Sequence, residues 1–176
     1  MELKTPAFRA CFSQEKNNFV SLVNLATGTE YIRQAPRDPL VELYALADGQ
    51  KKKLVAGQPQ VSGDSEHLEI CYAEFGGLDI RMTVHCHAVQ DRLSIRAELE
   101  NHSQADVVEI LLPHIGGLYL GGEAHPDYII YPHHAGERSK NPVMAYGQNK
   151  KDFWRASSVA FEDIYRREIN YCGLAS

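Results

Sequence analysis

The chain has 176 residues, enough for one domain with a sizeable core, and its 44% hydrophobic and 23% charged residues are typical of a globular protein. Its net charge of −5 argues against a nucleic-acid surface, which needs clustered Lys and Arg. No apolar run approaches the roughly 18 residues of a membrane span, and the start "MELKTPAFRACFS" lacks the apolar region of a signal peptide. We therefore expect one domain over residues 1–176, neither nucleic acid nor membrane as a partner, and a cytoplasmic location unless an upstream segment was removed.

Most of the chain has the pattern of short strands separated by polar turns. "FRACFS" and "NFVSLVNLATGTEYI" flank the turn "QEKN", and "LVELYAL" and "KLVAGQPQVS" follow "APRDP". We interpret the basic run "KKK" at 51–53 as a solvated turn. Only "SVAFEDIYRRE" near the end has apolar residues at a spacing that fits a helix, and this spacing fits a strand equally well. Many strands without βαβ alternation predict an all-β fold, an antiparallel two-sheet sandwich.

Residues 67–100 predict a three-stranded meander with one apolar face. "RLSIRAELEN" alternates apolar and polar residues, which is typical of a half-buried strand. Two-residue turns at Asp91-Arg92 and Gly76-Gly77 would join its three strands. The first turn predicts the pairs Val84–Leu99, Cys86–Ala97 and Ala88–Ile95, and the second predicts Phe75–Leu78, Ala73–Ile80, Cys71–Met82 and, on the other face, Tyr72–Arg81. The predicted buried residues are Leu78, Ile80, Met82, Val84, Cys86, Ile95, Ala97 and Leu99, with Arg96 and Glu98 exposed.

The four cysteines predict neither a zinc ribbon nor a disulfide. Cys11, Cys71, Cys86 and Cys172 contain no CxxC spacing. The predicted register separates Cys71 from Cys86, so we expect four free thiols that behave as small buried hydrophobes.

The histidines favour loop and surface positions over a metal site. The stretch "GGEAHPDYIIYPHHAGERSKNP" holds His125, Asp127, His133 and His134, but their spacing matches no common ligand set. In "HCH" at 85–87 the predicted register points Cys86 inward and both histidines outward. We therefore predict no metal and no cofactor.

No catalytic residues are assigned from the pattern of acidic groups. A glycosidase needs two carboxylates about 5–10 Å apart across a cleft. The nucleophile elbow "GxSxG" and the nucleotide loops "GxGxxG" and "GxxxxGK[ST]" are absent. Aromatic residues in the second half suit either sugar stacking or packing, and packing is the commoner use. The scattered acidic candidates are Glu98, Glu100, Glu109, Glu123 and Asp127, and the aromatic residues are Tyr119, Tyr128, Tyr131, Tyr146, Phe153 and Trp154.

Several turn motifs resemble those of large glycoside-hydrolase-like proteins. "NLATGTEYIRQAPRDPLVELYAL" is similar to their opening, with "N-x-x-T-G-x-E" before "P-L". The stretch from "LSIRAELENHS" to "GERSKNP" resembles their later pattern of "N-x-S", "P-x-I-x-G" and "D-x-I-x-Y-P-x-x-x-G". The resemblance implies an N-terminal β-supersandwich of the galactose-mutarotase-like fold, followed by a (β/α)₈ barrel that carries the catalytic carboxylates.

This resemblance implies that the chain is the N-terminal part of a longer protein, with a sandwich incomplete at "NYCGLAS" and a downstream catalytic domain as partner. We expect a non-catalytic domain that supports the barrel and contacts carbohydrate. One alternative is a free-standing aldose 1-epimerase that uses His85, His87, His125 or His133 with Glu123. Another is a structural or oligomerising sandwich without sugar contact. The candidate carbohydrate-binding residues are Glu123, Tyr128, Tyr131, His133, Tyr146 and Trp154.

Overall fold

A computed structural model describes residues 1–47 and 49–119 and the backbone of three further strands, 128–131, 137–140 and 173–175. Every strand pair in these residues is antiparallel. They contain no helix, and therefore none long and apolar enough to cross a membrane. The predicted all-β antiparallel sandwich is confirmed. The segment "SVAFEDIYRRE" and Cys172 lie outside the described residues.

The chain divides into two compact units, Met1–Tyr119 and Leu120–Ser176. The described strands are β1 (Glu2–Lys4), β2 (Phe8–Ser13), β3 (Asn18–Asn24), β4 (Thr29–Glu30), β5 (Glu42–Ala47), β6 (Gln50–Leu54), β7 (Gln60–Gly63), β8 (His67–Tyr72), β9 (Ile80–Val89), β10 (Arg92–Asn101), β11 (Asp106–Leu111), β12 (Tyr128–Tyr131), β13 (Glu137–Lys140) and β14 (Gly173–Ala175). In the first unit the sheets have the strand orders β1-β2-β3-β4, β10-β9-β8-β7 and β11-β5-β6, and in the second unit the order is β13-β12-β14.

One hydrophobic core joins the three sheets of the first unit. It takes Phe12 and Phe19 from the first sheet, Leu43 from the sheet of β5, and Ile70 and Val84 from the sheet of β9. The rings of Phe12 and Phe19 meet edge to face at 5.5 Å. Each large apolar side chain buried in this way contributes about 1.5–3 kcal/mol. The core therefore fixes which face of each strand points to solvent.

The predicted pairing of β9 with β10 is wrong by two residues, although the predicted face is right. Cys86 lies opposite Ile95 and Val84 opposite Ala97, because the two-residue loop is Gln90-Asp91. Gln90 has a φ of 54°, a left-handed conformation that a residue of this type rarely adopts. A shift of two residues preserves the inward and outward faces of both strands.

The predicted pairing of β8 with β9 is wrong by one residue. Phe75 does bridge Leu78, but Tyr72 pairs with Met82 where Cys71 was expected. The N–H of Ile80 donates to the carbonyl of Leu78 at 2.7 Å, which closes a tight turn. This turn takes up one residue more than a simple two-residue loop would, so the pairing shifts by one. Because of this shift, Tyr72 is buried and Cys71 points to the outer face.

Burial confirms half of the predicted core of the meander. Ile80, Met82, Val84 and Cys86 are buried, and Arg96 and Glu98 are exposed as predicted. The other four predicted core residues are only partly buried, because three of them lie on β10 at the edge of its sheet and the fourth lies in the turn before β9. These four are Leu78, Ile95, Ala97 and Leu99.

Two smaller predictions also need correction. The run Lys51–Lys53 is exposed, but it lies within β6 and not in a turn, since the turn precedes it between Ala47 and Gln50. Cys11, Cys71 and Cys86 are free thiols, but only Cys86 is fully buried.

Candidate functional site

A group of titratable side chains surrounds Glu42, the one buried acidic residue among those with described side chains. Asp38, Glu42, Tyr44, Lys53 and His114 form this group, hereafter the Glu42 cluster. Only 6% of the Glu42 side chain is exposed, whereas that of Lys53 is 40% exposed. The cluster therefore lies at a surface but holds a nearly buried carboxylate.

The sheet β11-β5-β6 places three members of the cluster on one face. Glu42 and Tyr44 are two residues apart on β5, so their side chains point to the same side. Lys53 of β6 lies directly opposite Tyr44 in the register. This strand geometry holds the ammonium, phenol and carboxylate next to one another without help from loops.

Asn18 fixes the two segments that supply Asp38 and His114. Its buried side-chain amide donates to the main-chain carbonyls of both Asp38 and His114 at 2.8 Å. The backbone N–H of His114 also donates to the carbonyl of Leu40 at 2.8 Å. These bonds join positions far apart in sequence into one rigid site.

The Glu42 carboxylate is engaged through both oxygens. Lys53 Nζ lies 2.5 Å from Oε1, and the Tyr44 hydroxyl donates to Oε2 at 2.7 Å. His114 Nδ1 lies 3.1 Å from Oε1, but this buried nitrogen makes no hydrogen bond within the described part of the chain. Asp38 is more distant, with Oδ1 4.0 Å from Lys53 Nζ.

The surroundings of Glu42 favour its ionised form. Burial alone would raise the pKa of Glu42, but the hydrogen bonds from Lys53 and Tyr44 and the charges of Lys53 and His114 outweigh it and hold the pKa below its ordinary value. Burial, together with the adjacent Glu42 carboxylate, raises the pKa of Tyr44 to about 12. The pair therefore remains a carboxylate and a neutral phenol at neutral pH.

The cluster has some of the ligands of a metal site, but a lysine already supplies the positive charge. One ligand atom each from Asp38, Glu42 and His114 lie within 4.8 Å of one another. Lys53 Nζ forms an ion pair with Glu42 Oε1, so a metal ion would have to displace this ammonium group. The arrangement favours an ion-pair and hydrogen-bond network over a metal centre.

The outer face of the sheet β10-β9-β8-β7 carries an open groove of about 370 Å³. Glu98 and Glu100 line it, as do Cys71 and Thr83. Arg96 Nη2 lies 3.5 Å from Glu98, and His102 Nε2 lies 3.3 Å from Glu100. Both carboxylates are exposed and have basic neighbours, so this groove contains no desolvated acid.

His85 and His87 lie on the outer face, and Cys86 is buried, as predicted. His85 Nδ1 lies 3.6 Å from Glu69, and His87 packs edge to face against His67 at 4.5 Å. The two histidines therefore have separate neighbours and do not converge with Cys86 on one point.

The remaining predicted site residues lie beyond the described side chains. Tyr128 and Tyr131 are the first and last residues of β12, and only their backbone is described. Glu123, His125, Asp127, His133, His134, Tyr146, Phe153 and Trp154 lie outside the described residues, and their predicted roles stay predictions.

The sequence reasoning missed the Glu42 cluster. Its one local signal is the acidic residue within the apolar run "LVELYAL", where burial of an unpaired carboxylate would be costly. The partners Asp38, Lys53 and His114 carry no recognisable spacing, because the fold alone brings them together.

The motif "N-x-x-T-G-x-E" forms a self-contained turn. Asn24 Oδ1 accepts the backbone N–H groups two and three residues later, and Gly28 has a φ of 71°. Glu30 accepts the backbone N–H groups of Leu22 and Ile32. Burial alone would raise the pKa of Glu30, but these bonds and one from Ser21 lower it. The motif residues therefore stabilise a turn.

The later motifs "N-x-S" and "P-x-I-x-G" also have structural roles. Asn101 Nδ2 donates to the carbonyl of Ala105 at 2.8 Å, and its Oδ1 accepts the N–H of Ser103. Gly117 has a φ of 73°, and a Cβ there would lie 2.1 Å from the carbonyl oxygen of Gln34. Only glycine fits this close approach.

Comparison with family models, curated proteins and solved structures found no match to the chain, so its resemblance to glycoside-hydrolase-like proteins stays a hypothesis.

Proposed function

We propose that this chain is a non-catalytic β-sandwich domain of a glycoside-hydrolase-like protein, which supports a downstream catalytic domain of the same protein and contacts carbohydrate weakly. The observation that carries the proposal is the state of Glu42. Lys53 and Tyr44 bind this nearly buried carboxylate, and its pKa is lowered, so it stays ionised. An ionised, hydrogen-bonded carboxylate is suited to a structural role and not to that of a proton donor.

Glycoside hydrolysis needs the opposite electrostatic environment for its proton donor. The general acid must have a raised pKa and a second carboxylate at a fixed distance across the scissile bond. The pKa of Glu42 is lowered, and that of Glu30 is lowered as well. The more exposed acids Glu98 and Glu100 have basic neighbours at the surface. These carboxylates are suited to holding the sandwich together.

The structural roles of the motifs also support an accessory domain. Asn24, Glu30, Asn101 and Gly117 close turns through their own hydrogen bonds or backbone conformation. Residues of this kind stabilise the fold through local bonds and need take no part in catalysis. A family defined by such motifs would share the sandwich, while the chemistry would belong to another domain.

Weak carbohydrate contact rests on residues outside the described side chains. Tyr128, Tyr131, Tyr146 and Trp154 would stack on sugar faces, and Glu123 or His133 would supply a hydrogen bond. So few contacts suggest a Kd near 1 mM, or about −4 kcal/mol.

The direct test is a screen of aryl glycosides at high protein concentration. We expect no turnover above the buffer rate, and the same result for Glu42→Gln. Turnover that disappears in Glu123→Gln or Asp127→Asn but persists in Glu109→Gln would refute the non-catalytic assignment. Accelerated mutarotation of an aldose without hydrolysis would instead favour the aldose 1-epimerase alternative.

A further inference from the structure

Strand β10 forms an edge of its sheet among the described strands. It runs for ten residues, Arg92–Asn101, and contains neither proline nor glycine. Long edge strands without such interruptions pair with another strand unless charged side chains, bulges, inward charges or a covering segment block them. Among the described residues β10 has no bulge and no inward charge, and its four charged residues all lie on the outer face, where a partner of opposite charge can pair with them.

The backbone groups of β10 alternate between its neighbour and the free edge. Val89 and Arg92 flank the two-residue loop, and such flanking residues exchange hydrogen bonds. Every second residue from Leu93 to Asn101 therefore directs its N–H and C=O away from β9. Ala97 is at the centre of this outward-facing row.

The apolar side chains on the inner face of β10 are incompletely covered. Ile95 and Leu99 are partly buried, whereas their partners Cys86 and Met82 on β9 are 0% and 1% exposed. Ala97 is also partly buried. Within the described part of the chain, the edge thus combines backbone groups that have no partner with apolar surface that another strand would cover.

We propose that β10 pairs antiparallel with β10 of a second copy of this chain, about a two-fold axis at Ala97. This register places Ala97 opposite its own copy, Ile95 opposite Leu99, and Arg96 opposite Glu98 on the outer face. Arg96 and Glu98 lie 3.5 Å apart along their own strand, and their side chains are 77% and 60% exposed, so each can exchange this contact for one with the partner strand. The pairing joins two four-stranded sheets into one of eight strands.

Charge selects this register over an axis at Leu99, and strand length selects it over an axis at Ile95. A two-fold axis at Leu99 would set Glu98 against Glu100, and like charges directly opposite are destabilising. An axis at Ile95 would leave Leu99 and Asn101 of each copy unpaired. The axis at Ala97 forms two Arg96–Glu98 pairs and uses the outward-facing groups from Leu93 to Asn101 in both copies. This inference is independent of any role in carbohydrate chemistry.

Sedimentation equilibrium of the full chain over about 5 µM to 0.5 mM tests the proposal, because dimer stability depends on concentration. Wild type should show a monomer–dimer equilibrium. Arg96→Glu should weaken it about tenfold or more, since it sets four carboxylates together at the axis. The double variant Arg96→Glu with Glu98→Arg restores opposite charges and should return the Kd to within about threefold of wild type. Arg81→Glu, the same charge change one strand away from the edge, should leave the Kd unchanged.

A backbone variant tests the pairing without changing charge. Ala97→Pro removes an N–H that faces the free edge and not β9, so the monomer should fold with a wild-type circular dichroism spectrum while dimerisation is lost. Wild type that stays monomeric throughout the range would overturn the proposal. A dimer whose Kd is the same in Arg96→Glu and Ala97→Pro as in wild type would overturn it as well.

Discussion

Replacing Glu42 by glutamine should destabilise the protein, because it removes a buried charge without changing the shape of the side chain. In wild type, Lys53 and Tyr44 each donate a hydrogen bond to the carboxylate. Hydrogen bonds to a charged group contribute about 1.5–3 kcal/mol and neutral ones about 1 kcal/mol. Lys53 is 40% exposed, so its share must be reduced for solvent screening. The expected loss is about 2 kcal/mol in the free energy of unfolding at pH 7.

Urea denaturation at several pH values measures this loss, with Glu109→Gln as the matched control. Glu109 also pairs with a lysine on the same sheet, but its side chain is 28% exposed, so its loss should be below about 1 kcal/mol. The folded pKa of Glu42 lies below its ordinary value of 4.5, so its contribution is present above that value and is lost as the pH falls through the folded pKa. The difference in unfolding free energy between wild type and Glu42→Gln should therefore narrow on acidification. A difference below about 0.5 kcal/mol at pH 7, or one that widens towards pH 3, would contradict a stabilising role for the ionised Glu42 carboxylate.

Four further predictions use other parts of the structure. Asn18→Ala leaves the carbonyls of Asp38 and His114 without their donor and should cost roughly 2–3 kcal/mol in urea denaturation. Asn101→Ala removes only exposed hydrogen bonds within a turn and should cost less than about 1 kcal/mol. Tyr72→Phe removes the buried hydrogen bond to Asn17 Oδ1 at 2.5 Å and should cost about 1–2 kcal/mol, and an unchanged midpoint would contradict this. Burial raises the pKa of Cys86 to about 12, so a thiol reagent should modify Cys11 and Cys71 in the native protein while Cys86 reacts only on unfolding. A thiol count on denatured, unreduced protein should give four, and a count of two would indicate a disulfide bridge. NMR titration with mono- and oligosaccharides should give fast-exchange shifts with a Kd near 1 mM, and no shift at tens of millimolar with any sugar would contradict carbohydrate contact.

The sequence predicted which side of each strand points into the core better than it predicted which residues of neighbouring strands pair. Alternation along β9 and β10 identifies Val84 and Cys86 as inward whatever the exact register, because a shift of two residues leaves the faces unchanged. The register itself depends on Gln90 adopting a left-handed φ and on the tight turn between Leu78 and Ile80, and neither has a strong turn signature.

The Glu42 cluster could not be predicted for a different reason. Asn18 reaches across 96 residues to the carbonyl of His114, so the site exists only after sheets distant in sequence have packed. Sequence patterns relate residues that are only a few positions apart, so they cannot indicate a contact between residues this far apart in the chain. A glutamate within an apolar strand shows only that some partner is needed.

The protonation of Glu42 is the most direct test of the proposed non-catalytic role. Its side-chain carboxyl carbon can be followed by NMR from pH 2 to pH 8 in the intact protein, with Glu42→Gln to assign the signal. We expect a titration midpoint below the ordinary value of 4.5, with the carboxylate ionised at neutral pH. A midpoint shifted above that value would show a desolvated proton donor and contradict the structural role assigned to this residue.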